Sequence, residues 1–162
     1  IRRHFEKRTS VSLLSPARIM AAMNEELRAL DTGKHLTVFC GVIDVNLQTL
    51  TYAVGAHYPP PILCNGNEVM QLAGSGLPLG LFPGAKYEEH VVALQQRFSL
   101  VAASDGILEI LPASDLVAKE ALLRAEVAAA DGQLDVLVER LGLPLVRDVP
   151  DDIALLMIQR DE

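Results

Sequence analysis

The chain has 162 residues and a mass of 17.5 kDa, which is the length of one ordinary domain. Half of the residues are hydrophobic and 22% are charged, so the chain can bury a core and wholesale disorder is excluded. The formal net charge of −7 argues against a nucleic-acid partner, because nucleic-acid-binding domains normally carry a basic face. No apolar run approaches the roughly 20 residues that span a bilayer. No signal-peptide pattern is present either, so we expect a cytoplasmic protein without a membrane partner.

The first half of the chain predicts one helix followed by two hairpins. Ser15-Pro16 is typical of a helix start, with Ser as N-cap and Pro in the first turn, and apolar residues continue at helical spacing to Leu30. Alternating apolar residues and the turn sequence Asn65-Gly66 then indicate antiparallel strands. The predicted strands of this half are residues 36–43, 49–54, 62–64 and 69–72.

The second half combines an irregular segment, strands and helices. Residues 73–89 are rich in glycine and proline and predict a partly mobile loop. Ser114 predicts the N-cap of one helix, and Gly142 predicts the end of another. The predicted strands of this half are residues 90–94, 98–103 and 153–158, of which the last two are expected to be central and buried. Consecutive hairpins make the sheet mainly antiparallel, so the predicted fold class is α+β.

Carboxylates stand at the ends of the two most apolar strands. Asp105 follows the first of these strands, and Asp151 and Asp152 precede the second. If the strands are neighbours, the carboxylates meet at one edge of the sheet, where Mg²⁺ or Mn²⁺ would find the oxygen ligands it prefers. Asp-Gly and Pro-Asp-Asp are also common turn sequences, so the residues alone leave a purely structural role open.

Other chemistry-bearing residue types give weaker patterns. His57 is interpreted either as a general acid or metal ligand, or as a histidine that locks a turn by hydrogen bonds. The four histidines lack the spacing of a zinc site. Cys40 and Cys64 lie in apolar runs and are interpreted as small buried hydrophobic residues, although one disulfide between them stays open. No nucleophile elbow and no phosphate-binding loop is present.

Six short segments follow one another between Leu14 and Ile158. They are the helix that begins at Ser15-Pro16, TVFCGVID at 37–44, YAVGAHYPP at 52–60, GLPLGLF at 76–82, SDGILE at 104–109 and DDIALL at 151–156. Each segment alone is a weak signal. In this order and spacing, the set resembles the SpoIIE/RsbU-type branch of the metal-dependent PPM serine/threonine protein phosphatases.

The resemblance implies a single domain over residues 1–162, with a PPM-type β-sandwich of mainly antiparallel strands flanked by helices. It implies two Mn²⁺ or Mg²⁺ ions that activate a water molecule for attack on phosphoserine or phosphothreonine. By position, Asp105, Asp151 and Asp152 would be metal ligands, Gly106 and His57 would support them, and no further catalytic residue is implied. The implied substrate is a phosphorylated anti-sigma-factor antagonist, and a receiver or sensor domain would lie upstream.

The chain departs from the family pattern in three places. The first metal motif, Asp followed by Ser-Gly-His-Gly, would precede Ile1, so we expect the C-terminal part of a longer protein, with poor phosphatase activity on its own. Ala56-His57 stands where the family has Gly-His, and Ala154 replaces Thr. A second interpretation therefore stays open: a degenerate adaptor domain, similar to that of RssB-like response regulators, which binds a sigma factor or its antagonist. The oligomeric state is also open, a homodimer included.

Overall fold

The computed structural model describes residues 15–146 and 151–161. The helices are α1 (Pro16–Ala29), α2 (Gly106–Ile110), α3 (Leu116–Ala130) and α4 (Leu134–Arg140), followed by a 3-10 helix (Leu143–Leu145). The strands are β1 (Val38–Asp44), β2 (Thr49–Gly55), β3 (Ile62–Asn65), β4 (Glu68–Gln71), β5 (His90–Ala93), β6 (Phe98–Ala103) and β7 (Leu155–Arg160). Two compact units result: the first unit holds residues up to His57 with Gly74–Leu94, and the second unit holds Tyr58–Ala73 with residues from Gln95 onward. No helix in the described ranges is long and apolar enough to cross a membrane.

The first unit packs α1 against an antiparallel sheet in the order β1-β2-β5. The predicted start of α1 is confirmed, because the Ser15 side chain accepts a hydrogen bond from the Arg18 backbone N–H. Met20 on α1 is fully buried in a cluster that also contains Ala53 of β2 and Leu79. The helical spacing of the apolar residues therefore predicted the face that α1 buries.

The segment 74–89 contains no helix and no strand, as its glycine and proline content predicted. It is nevertheless anchored within the first unit. Asn24 of α1 is 0% exposed, donates from Nδ2 to the Phe82 carbonyl at 2.9 Å, and accepts from the Gly80 N–H at 2.8 Å. Leu79 exchanges two backbone hydrogen bonds with Leu36. The mobility of this segment stays a prediction.

The second unit has an antiparallel sheet in the order β4-β3-β6-β7. The prediction of a central, buried strand at 98–103 is confirmed by β6. The same prediction for 153–158 is wrong: the strand begins at Leu155 and lies at the edge of this sheet within the described residues. Its alternate side chains Leu156 and Ile158 are 58% and 41% exposed, whereas Leu155 and Met157 pack against the core. An apolar run does not distinguish burial on one face from burial on two.

The helices of the second unit differ from the prediction at their ends. The N-cap of α3 is Asp115, not Ser114, because its carboxylate accepts from the Ala118 N–H at 2.9 Å, whereas the Ser114 hydroxyl donates to Asp115. The short α2 and the 3-10 helix were not predicted, since neither is long enough to show a helical period. Gly142 ends α4 at a φ of 69°, as predicted.

Candidate metal centre

The candidate site lies where β6 ends and β7 begins. These two strands are antiparallel neighbours, and the last pair at this end of the ladder is Ala103 with Leu155. The residues just after β6 and just before β7 are therefore at the same end of the sheet. The prediction that the two apolar strands are neighbours is confirmed.

Ser104 connects the two chain segments beyond the ladder. Its N–H donates to the Ala154 carbonyl at 2.9 Å, and its Oγ donates to the Asp152 carbonyl at 3.0 Å. The same Oγ accepts from the Ala154 N–H at 2.8 Å. One serine thus satisfies three backbone groups of a segment that has no strand partner of its own.

Gly106 lies close to the backbone of the segment 151–154. A Cβ atom built on this residue would lie 2.6 Å from the Asp152 carbonyl oxygen and 3.1 Å from the Asp151 carbonyl oxygen. Real Cβ atoms do not come within 2.6 Å of an oxygen, so this position of the first turn of α2 requires glycine. The predicted role of Gly106 in supporting a metal site stays a prediction.

The three predicted ligand carboxylates, Asp105, Asp151 and Asp152, are all exposed. Asp105 is the N-cap residue of α2, but its side chain makes no capping hydrogen bond. The Asp151 Oδ1 atom accepts from the Asp152 N–H at 2.8 Å, and this hydrogen bond orients the Asp151 carboxylate. Asp115 is the contrasting case, because its carboxylate caps α3.

This donor set suits a hard divalent cation. Carboxylate oxygens are the ligands that Mg²⁺ and Mn²⁺ prefer, and exposed positions leave room for the waters that complete their coordination. In residues 15–146 and 151–161, no three His, Cys, Asp or Glu side chains lie together as a metal-binding group. The assignment of Asp105, Asp151 and Asp152 as ligands therefore stays a prediction.

His57 belongs to the first unit, and its role as a supporting residue also stays a prediction. Its ring lies 6.3 Å from the ring of Phe39, centroid to centroid. The preceding residue, Ala56, has a φ of 53°, in the left-handed region that favours glycine. The resemblance implies a glycine at this place, which would adopt that backbone without strain, whereas this chain has alanine.

The cysteines are not poised as nucleophiles. Both Cys40 and Cys64 are free, so the alternative of a disulfide between them is wrong in this structure. Burial raises the pKa of both thiols, which disfavours the reactive thiolate at neutral pH.

Sequence reasoning missed two polar contacts in the second unit. The bridging hydroxyl of Ser104 was not foreseen, because a serine before Asp-Gly indicates no more than a turn. The hydroxyl of Tyr58 donates to Glu120 of α3, and burial together with this bond raises the pKa of Tyr58 to about 12. Both contacts join residues far apart in the chain, and a local pattern carries no signal for them.

Comparison with known proteins identifies the family. The family described as stage II sporulation protein E (SpoIIE) matches residues 2–161. The chain belongs to the SpoIIE family. A comparison with curated proteins gave no match.

Solved structures show the same fold. The RsbU and RsbW domains of a Mycobacterium tuberculosis protein are 23% identical with a TM-score of 0.74, over 98% of this chain and 44% of that one. The manganese-presoaked phosphatase domain of SpoIIE from Bacillus subtilis is 19% identical with a TM-score of 0.64, over 99% of this chain and 70% of that one. RsbX in complex with magnesium is 15% identical with a TM-score of 0.64, over 87% of this chain and 62% of that one. The predicted PPM-type fold of helices and mainly antiparallel strands is confirmed, and the chain spans less than half of the first of these solved chains.

Proposed function

We propose that this SpoIIE-family chain is part of a metal-dependent phosphoserine/phosphothreonine protein phosphatase that acts in bacterial sigma-factor regulation. Family membership supports the reaction class. The observation that carries the proposal is the junction of the Ser104–Gly106 turn with the segment 151–154, which brings three acidic residues to one end of the β6–β7 pair.

In this proposal, Asp105, Asp151 and Asp152 hold Mn²⁺ or Mg²⁺. Manganese was soaked into one structural neighbour and magnesium is bound in another, which supports this choice of ions. When bound, such ions lower the pKa of coordinated water and neutralise charge on a transferring phosphoryl group.

The chain's own residues supply position and access. The turn after β6 is held by backbone and hydroxyl bonds rather than by the carboxylates, so the oxygens of Asp105 stay available as ligands. A site held in place before the substrate arrives requires little reorganisation during the reaction. All three carboxylates are exposed, which a phosphate carried on another protein requires for access.

The proposed substrate is a phosphorylated anti-sigma-factor antagonist, and the proposed upstream region is a receiver or sensor domain. The solved neighbour that combines RsbU and RsbW domains in one chain supports a role in partner switching. The adaptor interpretation predicts instead binding to a sigma factor or its antagonist without phosphate release.

The test is phosphate release from a phosphorylated antagonist by the full-length protein that contains these 162 residues, with and without Mn²⁺. We expect Mn²⁺-dependent release in the wild type. In Asp105→Asn the rate should fall at least about 100-fold, because a neutral amide replaces a charged ligand. The matched control is Asp135→Asn, the same change at an exposed position of α4, which should keep wild-type activity.

Full activity in Asp105→Asn would contradict the proposed site. If the wild type releases no phosphate but binds the antagonist tightly, the adaptor interpretation is correct and the phosphatase interpretation is wrong.

A further inference from the structure

The segment 151–154 lies outside the β-ladder yet has a defined place beside the turn after β6. The last assigned ladder pair at this end is Ala103 with Leu155, and one backbone hydrogen bond continues beyond it, from the Ser104 N–H to the Ala154 carbonyl. Two hydrogen bonds of the Ser104 hydroxyl and the close approach at Gly106 also tie the segment to the turn.

We propose that Ser104 is a positioning residue of the metal centre, and this inference rests on the proposed function. In the pair that follows Ala103 with Leu155, the Ser104 N–H donates to the Ala154 carbonyl, and the Ser104 hydroxyl takes the place of the second backbone acceptor. The hydroxyl donates to the Asp152 carbonyl at 3.0 Å and accepts from the Ala154 N–H at 2.8 Å. It therefore bonds the peptide group on each side of Ile153. This oxygen therefore helps to fix the place of Asp151 and Asp152 relative to Asp105, together with the Ser104 N–H and the contact at Gly106.

The Ser104 hydroxyl is expected to affect the position of the segment 151–154 more than the stability of the fold. Ala154 and Asp152 are exposed, so water can replace the hydroxyl as a partner of their backbone groups, and the free energy of unfolding changes little when it is removed. A metal centre is more demanding, because its ligands must be held within about 0.5 Å of their productive places. Loss of residues that orient metal ligands commonly weakens metal binding by roughly 10- to 100-fold.

The proposed positioning role belongs to the Ser104 hydroxyl and not to the size of the side chain. Threonine retains an Oγ at position 104, whereas valine has the same shape without it. Ser104→Thr and Ser104→Val are therefore a pair that differs in the bridging oxygen alone. Ser114→Ala serves as the control for removing a serine hydroxyl, since Ser114 is exposed in the second unit and its hydroxyl donates to its neighbour Asp115.

The experiment is calorimetric titration of the full-length protein with Mn²⁺, combined with hydrogen exchange of the amide of Ala154. In Ser104→Val we expect Mn²⁺ affinity to fall by about tenfold or more. Exchange at Ala154 should become faster, and the melting temperature should stay close to that of the wild type. Ser104→Thr and Ser114→Ala should retain wild-type affinity and slow exchange at Ala154.

The outcomes separate two failures. If the wild type binds no Mn²⁺, the proposed function fails and this inference fails with it. If the wild type binds Mn²⁺ and Ser104→Val binds it equally well, only the positioning role is overturned. Loss of the fold in Ser104→Val, with Ser104→Thr intact, would also overturn it, because the hydroxyl would then be a general determinant of stability.

Discussion

The two units hold their irregular segments by opposite means. In the first unit, the segment 74–89 is tied to α1 through Asn24, which is fully buried. In the second unit, the segment 151–154 is tied to the end of β6 through Ser104, among exposed residues. A buried polar bridge is strongly coupled to stability, because removing it strands polar groups away from water. Removing an exposed bridge costs little stability, although the bridge can still fix the position of the segment that it bonds. The side chains around it stay accessible to solvent, and the candidate metal ligands are among them.

The largest effect on stability should come from the buried bridge. Asn24→Ala leaves the Gly80 N–H and the Phe82 carbonyl without their partner, and we expect a loss of about 3 kcal/mol of unfolding free energy. Urea denaturation measures this loss. Asn46→Ala, at the exposed β1–β2 turn, should change the unfolding free energy by less than about 0.5 kcal/mol. Equal effects of the two variants would show that the hydrogen bonds of the buried Asn24 side chain do not stabilise the fold.

The second effect tests the contact between the turn and the segment 151–154. In Gly106→Ala the new Cβ meets two backbone carbonyls, at 2.6 Å and 3.1 Å, so the segment must shift. We expect a loss of about 2 kcal/mol in unfolding free energy, from the strain of overpacking. Phosphatase activity should fall along with it. Gly41→Ala in β1 should cost less, since the nearest atoms are the movable side chains of Leu50 and Phe39. A Gly106→Ala protein with wild-type stability and activity would show that this contact does not matter.

A smaller effect of opposite sign is expected in the first unit. Ala56 has a φ of 53°, so Ala56→Gly relieves left-handed strain and should stabilise the protein by up to about 1 kcal/mol. Ala53→Gly, at a buried β2 position with ordinary strand geometry, should destabilise it. The pair is compared by thermal unfolding, and destabilisation by Ala56→Gly would mean that the strain is absent.

The smallest effect concerns pH. The Gly84 N–H donates to Glu25 at 2.9 Å and holds the pKa of that carboxyl below its ordinary value of 4.5. A carboxyl with a lowered folded-state pKa contributes stability above pH 4.5, and this contribution disappears as the pH falls through the folded value. Glu25→Gln should therefore be less stable than the wild type at pH 7, with the difference shrinking below pH 4.5. Both proteins are denatured at pH 7 and below pH 4.5. A stability difference that does not change with pH would contradict the effect of the Gly84 hydrogen bond on the Glu25 pKa.

Local patterns were sufficient for the elements whose residues contact their neighbours in the chain. Ser15-Pro16 marked the start of α1, and the turn at Asn65-Gly66 marked the β3–β4 hairpin, because caps and tight turns are built within a few residues. The resemblance predicted the fold that the solved structures confirm. The candidate ligands Asp105, Asp151 and Asp152 were also found from sequence, since they follow or precede apolar strands, and their assignment stays a prediction.

The amino-acid sequence by itself determined the order of the elements, the face that α1 buries, the buried strand β6 and the family. These properties depend on periodicity, on turn chemistry and on residue order, all of which are present before folding. The tertiary structure decided that β7 lies at the edge of its sheet among the described residues. It also decided that one serine hydroxyl joins residues 104 and 152–154. Both depend on which groups from distant parts of the chain meet in space, and a hydrogen bond between such groups exists only once the fold has brought them together.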